Sequence, residues 1–254
     1  MKAYCLASSS HGNCFILEFD INGIPTRIMV ECGIPLKEIY ARTMKNNISL
    51  SEIKGCLITH AHADHSKAAC ELHKRGVDIF ATKPTLSALN IAGEQIDYLV
   101  PFRVCDGVSA LAFEVEHDCD GSAGFVIKTK NECVIFVNDH KRWTANLTNF
   151  KPNYVFIECN YDHKVVYAQL NELRKKLRTV EEEQRMHQHE RNLNSHCSLN
   201  GTIKGLKKLN LSKCEFIVLT HLSDRYANEY KMKNEIQAAF GIRTLVAKKD
   251  GGIK

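Results

Sequence analysis

The chain lacks any run of roughly 18 consecutive apolar residues, the length a membrane-spanning helix needs, so no membrane partner is expected. It has no CxxC pair, and its eleven cysteines follow no regular spacing. A secreted, disulfide-stapled domain is short and regularly spaced, so that class is set aside. Several thiols sit inside apolar runs, Cys56 in KGCLIT and Cys133 in ECVIFV, and read as small buried hydrophobes in a reducing cytosol. Cys5, Cys32 and Cys197 lie near polar motifs, which leaves them a functional alternative. The opening MKAYCLASSSHGN is too short and too polar for a secretory signal, so a cytoplasmic location is expected. No low-complexity linker and no internal repeat divides the chain, and residues 1–254 are expected to form one domain.

What is present suits a packed enzyme. Of the 254 residues, 44% are hydrophobic and 25% charged, enough for a large core. The formal net charge of +5 suits a polyanionic partner without requiring one. Apolar runs rich in Val, Ile and Phe predict strands at 3–7, 14–20, 26–32, 54–59, 78–81, 111–116, 124–130, 133–138, 154–158, 215–220 and 243–247. Asn22-Gly23 reads as a hairpin turn, and Lys130-Asn131 suggests a second. Helices are expected at 35–46, opened by Pro35, and at 66–75, 84–91, 198–209 and 229–239. The longest helical pattern runs from Val165 to Arg191, with Val166, Leu170, Leu173, Leu177 and Val180 on one stripe. Its charged face reads as solvated; nucleic-acid contact by Arg174, Lys175, Lys176 and Arg178 is the sharper alternative. Clustered strands followed by strand–helix alternation point to mixed sheets covered by helices.

The strongest chemical signal is Thr59-His60-Ala61-His62-Ala63-Asp64-His65, between an apolar strand and a helical pattern. In extended chain, residues two apart point the same way, so His60 and His62 can aim at one metal. Asp64 and His65, at the turn into the helix, can reach a second. Imidazole and carboxylate suit Zn²⁺, and also Mn²⁺ or Fe²⁺. His117, Asp139 and His221 each stand just past the end of an apolar strand, as His60 does. Four such strand ends are best explained by convergence on one rim.

This cluster resembles the HxHxDH signature of the metallo-β-lactamase superfamily, and EVEHD, FVND and LTHLS follow its later order. LASSSHGNCFIL, MVECGIPLKEI and IECNYD resemble the WalJ/YycJ-like branch, and THLSDRY resembles the closing motif of ribonuclease Z and WalJ-like enzymes. The resemblance covers nearly the whole chain. It implies an α/β fold, a four-layer αββα sandwich of two mixed β-sheets flanked by helices. It implies two divalent ions, Zn²⁺ first and Mn²⁺ as the alternative. His60, His62 and His117 would hold one; Asp64, His65 and His221 would hold the other; Asp139 would bridge, and the ions would share a hydroxide. Glu31 stands where the family has Asp and would orient a ligand histidine. SHCSLNG resembles the ribonuclease Z segment whose His is a general acid, which would be His196 oriented by Glu158. The alternative for His196 is a helix cap near Ser198. His11 replaces a small residue in the opening loop, either exposed or in contact with substrate. His140, His163, His187 and His189 read as surface residues.

The function expected is a dinuclear metal-dependent phosphodiesterase acting on nucleic acid, an exodeoxyribonuclease-like nuclease with Asp64, His196 and Glu158 as catalytic residues. Transfer-RNA 3′ processing is disfavoured because no exosite arm is evident. The stretch from Asp139 to His221 is too short for a large inserted cap. A lactonase, thioesterase or cyclic-nucleotide phosphodiesterase would use the same metal set, because fold and metals do not fix the substrate. A metal-stabilised, non-catalytic binding module is the third alternative.

Overall fold

The computed structural model describes residues 1–175 and 193–254. A first sheet follows chain order: β1 (Lys2–Ser9), β2 (Gly12–Ile21), β3 (Ile24–Cys32), β4 (Ile53–Leu57), β5 (Ile79–Thr82) and β6 (Glu94–Ile96). Its first three strands form an antiparallel meander, and β3 to β6 run parallel. The parallel crossovers carry α1 (Leu36–Lys45), α2 (Ala63–Ser66), α3 (Ala69–His73) and α4 (Lys83–Leu89). The second sheet contains β7 (Pro101–Cys105), β8 (Val108–Glu116), β9 (Ala123–Lys128), β10 (Cys133–Val137), β11 (Arg142–Trp143), β12 (Tyr154–Glu158), β13 (Phe216–Thr220) and β14 (Arg243–Val246). Its order is β11-β8-β9-β10-β12-β13-β14, with β7 also paired to β8. Helices α5 (His163–Lys175), α6 (Leu199–Leu206) and α7 (Glu229–Phe240) belong to this half.

The layering follows from side chains alternating across each strand. In β2, Phe15, Leu17 and Phe19 join the cluster between the sheets, while Cys14 and Ile16 join the one under α1 to α4. In the second sheet, Val134, Phe136, Tyr154, Phe156 and Val218 face inward. Ile135, Ile157 and Leu219 face outward against Leu206 of α6 and Met232 and Ile236 of α7. Both faces of these strands are covered, which is why they read as continuous apolar runs. Between the sheets Phe15 packs edge-on to Phe136 at 5.3 Å and to Phe156 at 5.9 Å. Each such buried ring contributes roughly 1.5–3 kcal/mol over its exposed state. The result is the four-layer αββα sandwich of two mixed sheets.

Every strand predicted from composition is present. Asn22 (φ 55°) and Gly23 (φ 83°) make the left-handed turn between β2 and β3, and Lys130-Asn131 lies in the β9–β10 turn. Three strands were not legible: β6, β7 and β11 are short or polar edge pieces, defined by the neighbour they pair with. The expected helix 66–75 is corrected to two shorter pieces, α2 and α3. Ala68 N–H donates to Cys32 O at 2.9 Å instead of continuing the helical ladder. Of the long pattern at 165–191, α5 lies within the described residues. Lys176, Leu177, Arg178, Val180, His187 and His189 lie outside them, as do the side chains of Leu173, Arg174 and Lys175. All eleven cysteines are free; seven are buried, and Cys70 is exposed, contrary to the expectation for thiols generally.

Candidate metal centre

Direction of travel gathers the functional side chains. β8 runs antiparallel to β9, which runs antiparallel to β10, so β8 is co-directional with β10, β12 and β13. Their last residues therefore reach one edge, where His117, Asp139, Glu158 and His221 stand. β4 ends against them, because Ala123 N–H of β9 donates to Thr59 O at 2.9 Å. Three non-glycine residues here take a left-handed backbone: Glu31 (φ 63°), Asp139 (φ 39°) and His221 (φ 54°). Such backbone costs on the order of 1–3 kcal/mol and concentrates at functional sites. It turns each strand end so that its side chain leaves the ladder for the shared cleft.

The structure brings together all seven residues singled out as ligands. His60, His62 and His117 have ring nitrogens within 4.8 Å of one another. His60 Nε2 is 3.0 Å and His117 Nε2 3.3 Å from His62 Nδ1. His117 Nδ1 lies 2.9 Å from Ser195 O; a carbonyl only accepts, so that nitrogen carries a proton, and Nε2 is the nitrogen that faces the group. Asp64, His65, Asp139 and His221 form the second group. His65 Nε2 is 3.3 Å from Asp64 Oδ2 and 3.2 Å from Asp139 Oδ2. Its other nitrogen faces Glu31 Oε1 at 3.4 Å, so the longer acid still reaches a cluster histidine. Asp139 Oδ2 is also 3.9 Å from His117 Nε2, which places it between the two groups.

Support for this floor comes from residues to which the sequence reading assigned no role. Asn13 Nδ2 donates to Ser9 O at 2.9 Å and lies 3.4 Å from His65 Nε2. Asn160 Nδ2 donates to His221 O at 2.9 Å, and Ser8 Oγ accepts His221 N–H at 2.9 Å. Asp118 Oδ1 lies 3.1 Å from His117 Nε2. Asn13 and Asn160 do fall in the segments whose resemblance was noted, and their buried polarity among apolar neighbours was the available signal. Gly33 fixes the approach of β3 to α2: a Cβ there would stand 1.7 Å from Asp64 O. Gly33→Ala is therefore expected to displace the Asp64-His65 turn and lower bound metal per chain while the circular-dichroism spectrum stays folded. Full metal content would contradict this packing.

Glu158 and His196 meet beside the second group. His196 Nδ1 is 2.7 Å from Glu158 Oε1, and Glu158 Oε2 accepts backbone N–H groups of His140 at 2.8 Å and Cys197 at 3.0 Å. The His196 ring stacks on His221 at 5.1 Å and tilts over His117 at 5.5 Å. The helix-cap alternative belongs to Ser198, whose Oγ accepts Gly201 N–H. His140 corrects the surface reading: it is buried, 3.6 Å from Glu158 and against the Trp143 ring, because it follows Asp139 into the wall of the cleft. His163 is half-buried and His11 is exposed on the β1–β2 turn.

Charge is arranged in two zones. Burial, then neighbouring imidazolium, pushes His60 well below its usual range; burial and His117 likewise lower His62. Burial alone would also lower His65 and His221. Asp139 and Glu31 outweigh it for His65, and Asp139, Asp64 and Glu158 raise His221 to about 10. Burial would raise Asp64, Asp139 and Glu158, yet facing imidazoles hold all three ionised, Glu158 down to about 2. Burial opposes the charge on His196 as well, but Glu158 and Asp139 raise it. Burial brings His140 down to about 4, so it is neutral.

This donor set fits divalent cations. In the first group three imidazole ring nitrogens converge within 4.8 Å of one another. The second holds two buried or half-buried carboxylates, and Asp139 Oδ1 makes no hydrogen bond. Cations at these places would satisfy both conditions.

No known protein-family profile matches the chain. Among curated proteins, the exodeoxyribonuclease YycJ of Bacillus anthracis is 25% identical over 142 residues, covering 53% of this chain and 52% of that protein. The match thus spans about half the length of the curated relative. Among solved structures, the metallo-β-lactamase fold protein YhfI from Bacillus subtilis has a TM-score of 0.71 at 12% identity, covering 99% of this chain and 98% of that one. The chain has the metallo-β-lactamase fold. A long-form RNase Z from yeast shares this metallo-β-lactamase fold, with a TM-score of 0.66 at 14% identity over 99% of this chain and 41% of the yeast chain. The His/Asp groups at this chain's strand ends form a candidate divalent-metal site. Among the described residues, no helix is long and apolar enough to cross a membrane.

Proposed function

We propose that the chain is a phosphodiesterase that cleaves nucleic acid with two divalent cations, a nuclease of exodeoxyribonuclease type. His60, His62 and His117 would hold one cation, Asp64, His65 and His221 the other, with Asp139 shared. When bound, the cations would lower the pKa of a water and offset negative charge building on phosphoryl oxygens. The observation that carries the reading is the 2.7 Å contact between His196 and Glu158 at the edge of the metal groups. A carboxylate only accepts, so His196 Nδ1 holds a proton toward Glu158, and Nε2 lies on the opposite side of the ring. Glu158 keeps the ring charged and oriented, ready to protonate a leaving alkoxide oxygen. Phosphodiester cleavage at a sugar needs that proton. Asp64, more open to the cleft than Asp139, would accept a hydrogen bond from an attacking water and align it. The similarity to an exodeoxyribonuclease and to an RNase Z supports the same substrate class.

The test is a panel of single- and double-stranded DNA, RNA and bis-p-nitrophenyl phosphate, each with Zn²⁺ and with Mn²⁺. Metal-dependent cleavage of a nucleic acid is expected. No cleavage, alongside fast hydrolysis of a lactone or a thioester, would overturn the proposal.

A further inference from the structure

The general acid His196 is zipped to a second segment that carries an aromatic ladder. Asn160 N–H donates to Cys197 O at 2.8 Å and Leu199 N–H to Tyr161 O at 2.9 Å, while Tyr161 bridges Ser198. From that seam three rings climb outward along the start of α5. Tyr161 is buried, and its ring tilts against His163 at 5.4 Å. His163 is half-buried and stacks on Tyr167 at 6.0 Å and 18°. Tyr167 tops the ladder with 53% of its surface exposed. The cause is helical spacing: residues 163 and 167 are four apart and share a face. An exposed tyrosine held by a ring beneath it has already lost rotamer freedom, so a further flat ring can stack on it at little cost in ordering.

The other flank of the centre has the opposite chemistry. A 360 Å³ cavity that shares His117 is lined by Glu114, Glu116 and Asp120, and its Arg142 is already paired with Glu116. A phosphate chain is repelled there. On the ladder side Lys164 is exposed, beside His163.

We infer that Tyr167, backed by His163, is a stacking platform for a nucleobase of the single strand on the leaving-group side of the cut. This rests on the phosphodiesterase reading and deepens it. His196 would protonate the departing oxygen, so the strand carrying that oxygen leaves past the segment joined to His196. The rings there meet a base by its π-face, which every base possesses, so the contact is indifferent to sequence.

The experiment uses the full chain with three variants, Tyr167→Ala, Tyr167→Phe and His163→Ala. Binding of a fluorescein-labelled short oligodeoxyadenylate is followed by anisotropy without added metal. Cleavage of bis-p-nitrophenyl phosphate, which has no base-bearing strand, is followed with metal. Tyr167→Ala is expected to weaken oligonucleotide binding about tenfold, the scale of one lost base stack, with His163→Ala in the same direction and Tyr167→Phe close to the unmodified chain. Turnover of the small diester should stay within about twofold in all three. The platform is overturned if Tyr167→Ala binds as the unmodified chain does, if Phe fails as badly as Ala, or if small-diester turnover falls in parallel. Absence of oligonucleotide binding by the unmodified chain would also overturn it. Absence of turnover on every phosphodiester, with binding intact, would instead sink the catalytic reading.

Discussion

Asp139→Ala is expected to abolish metal loading and hydrolysis together. Asp139 Oδ2 lies 3.2 Å from His65 of one group and 3.9 Å from His117 of the other. It is also the buried anion that lies nearest several of the imidazoles, ion-paired to His221 Nδ1 at 3.3 Å. Removing it leaves two histidines of the second group without their main counter-charge and leaves nothing to span the groups. Loss of an outer-shell partner costs roughly 10–100-fold in metal affinity or activity, and loss of a shared ligand should exceed that. Metal per chain by plasma emission spectrometry, read beside turnover, checks it. Unchanged stoichiometry with normal turnover would refute the shared role. Asp139→Asn separates charge from shape, because the amide fills the same space without the anion.

The second large effect concerns His196. His196→Ala should keep its metal content, since the proposed ligand set does not include it; loss of metal would instead place His196 among the ligands, with Asp139, Glu158 and His221. Cleavage of DNA or RNA should slow by about 10²–10⁴-fold, the usual contribution of a positioned acid. Cleavage of bis-p-nitrophenyl phosphate should suffer far less, because nitrophenolate departs without a proton. That contrast distinguishes an acid from a merely structural ring. The sign of the pH dependence follows from Glu158 and Asp139, which raise His196. The active form is the protonated one, present below the raised pKa and lost as pH climbs through it. The unmodified chain should therefore lose nucleic-acid turnover on the alkaline side, and His196→Ala should lack that limb. Equal slowing on both substrates, or an unaltered alkaline limb, would remove the acid assignment.

How far these residues could be read in advance depended on the range of the interactions. His60, His62, Asp64 and His65 are adjacent, and period-two geometry relates them without knowledge of the fold. The apolar strands were legible because both faces of each are covered, so hydrophobicity alone marks them. Edge pieces such as Arg142–Trp143 carry no such mark and exist through pairing with β8. His140 was misread for a related reason. Its neighbours in the sequence are charged, and its burial comes from Trp143 folding back over it and from Glu158, eighteen positions away.

From the chain alone came the alternation of apolar strands and helices, the histidine-rich turn, and the expectation that His117, Asp139 and His221 end strands. These are local properties, set by side-chain chemistry and backbone periodicity. Tertiary structure alone decided that β8 runs with β10, β12 and β13, that three of the cleft residues take left-handed backbone, and that His140 is buried against Trp143. Those depend on sheet order and close packing between segments far apart in the chain, where distance in space bears no simple relation to distance in sequence.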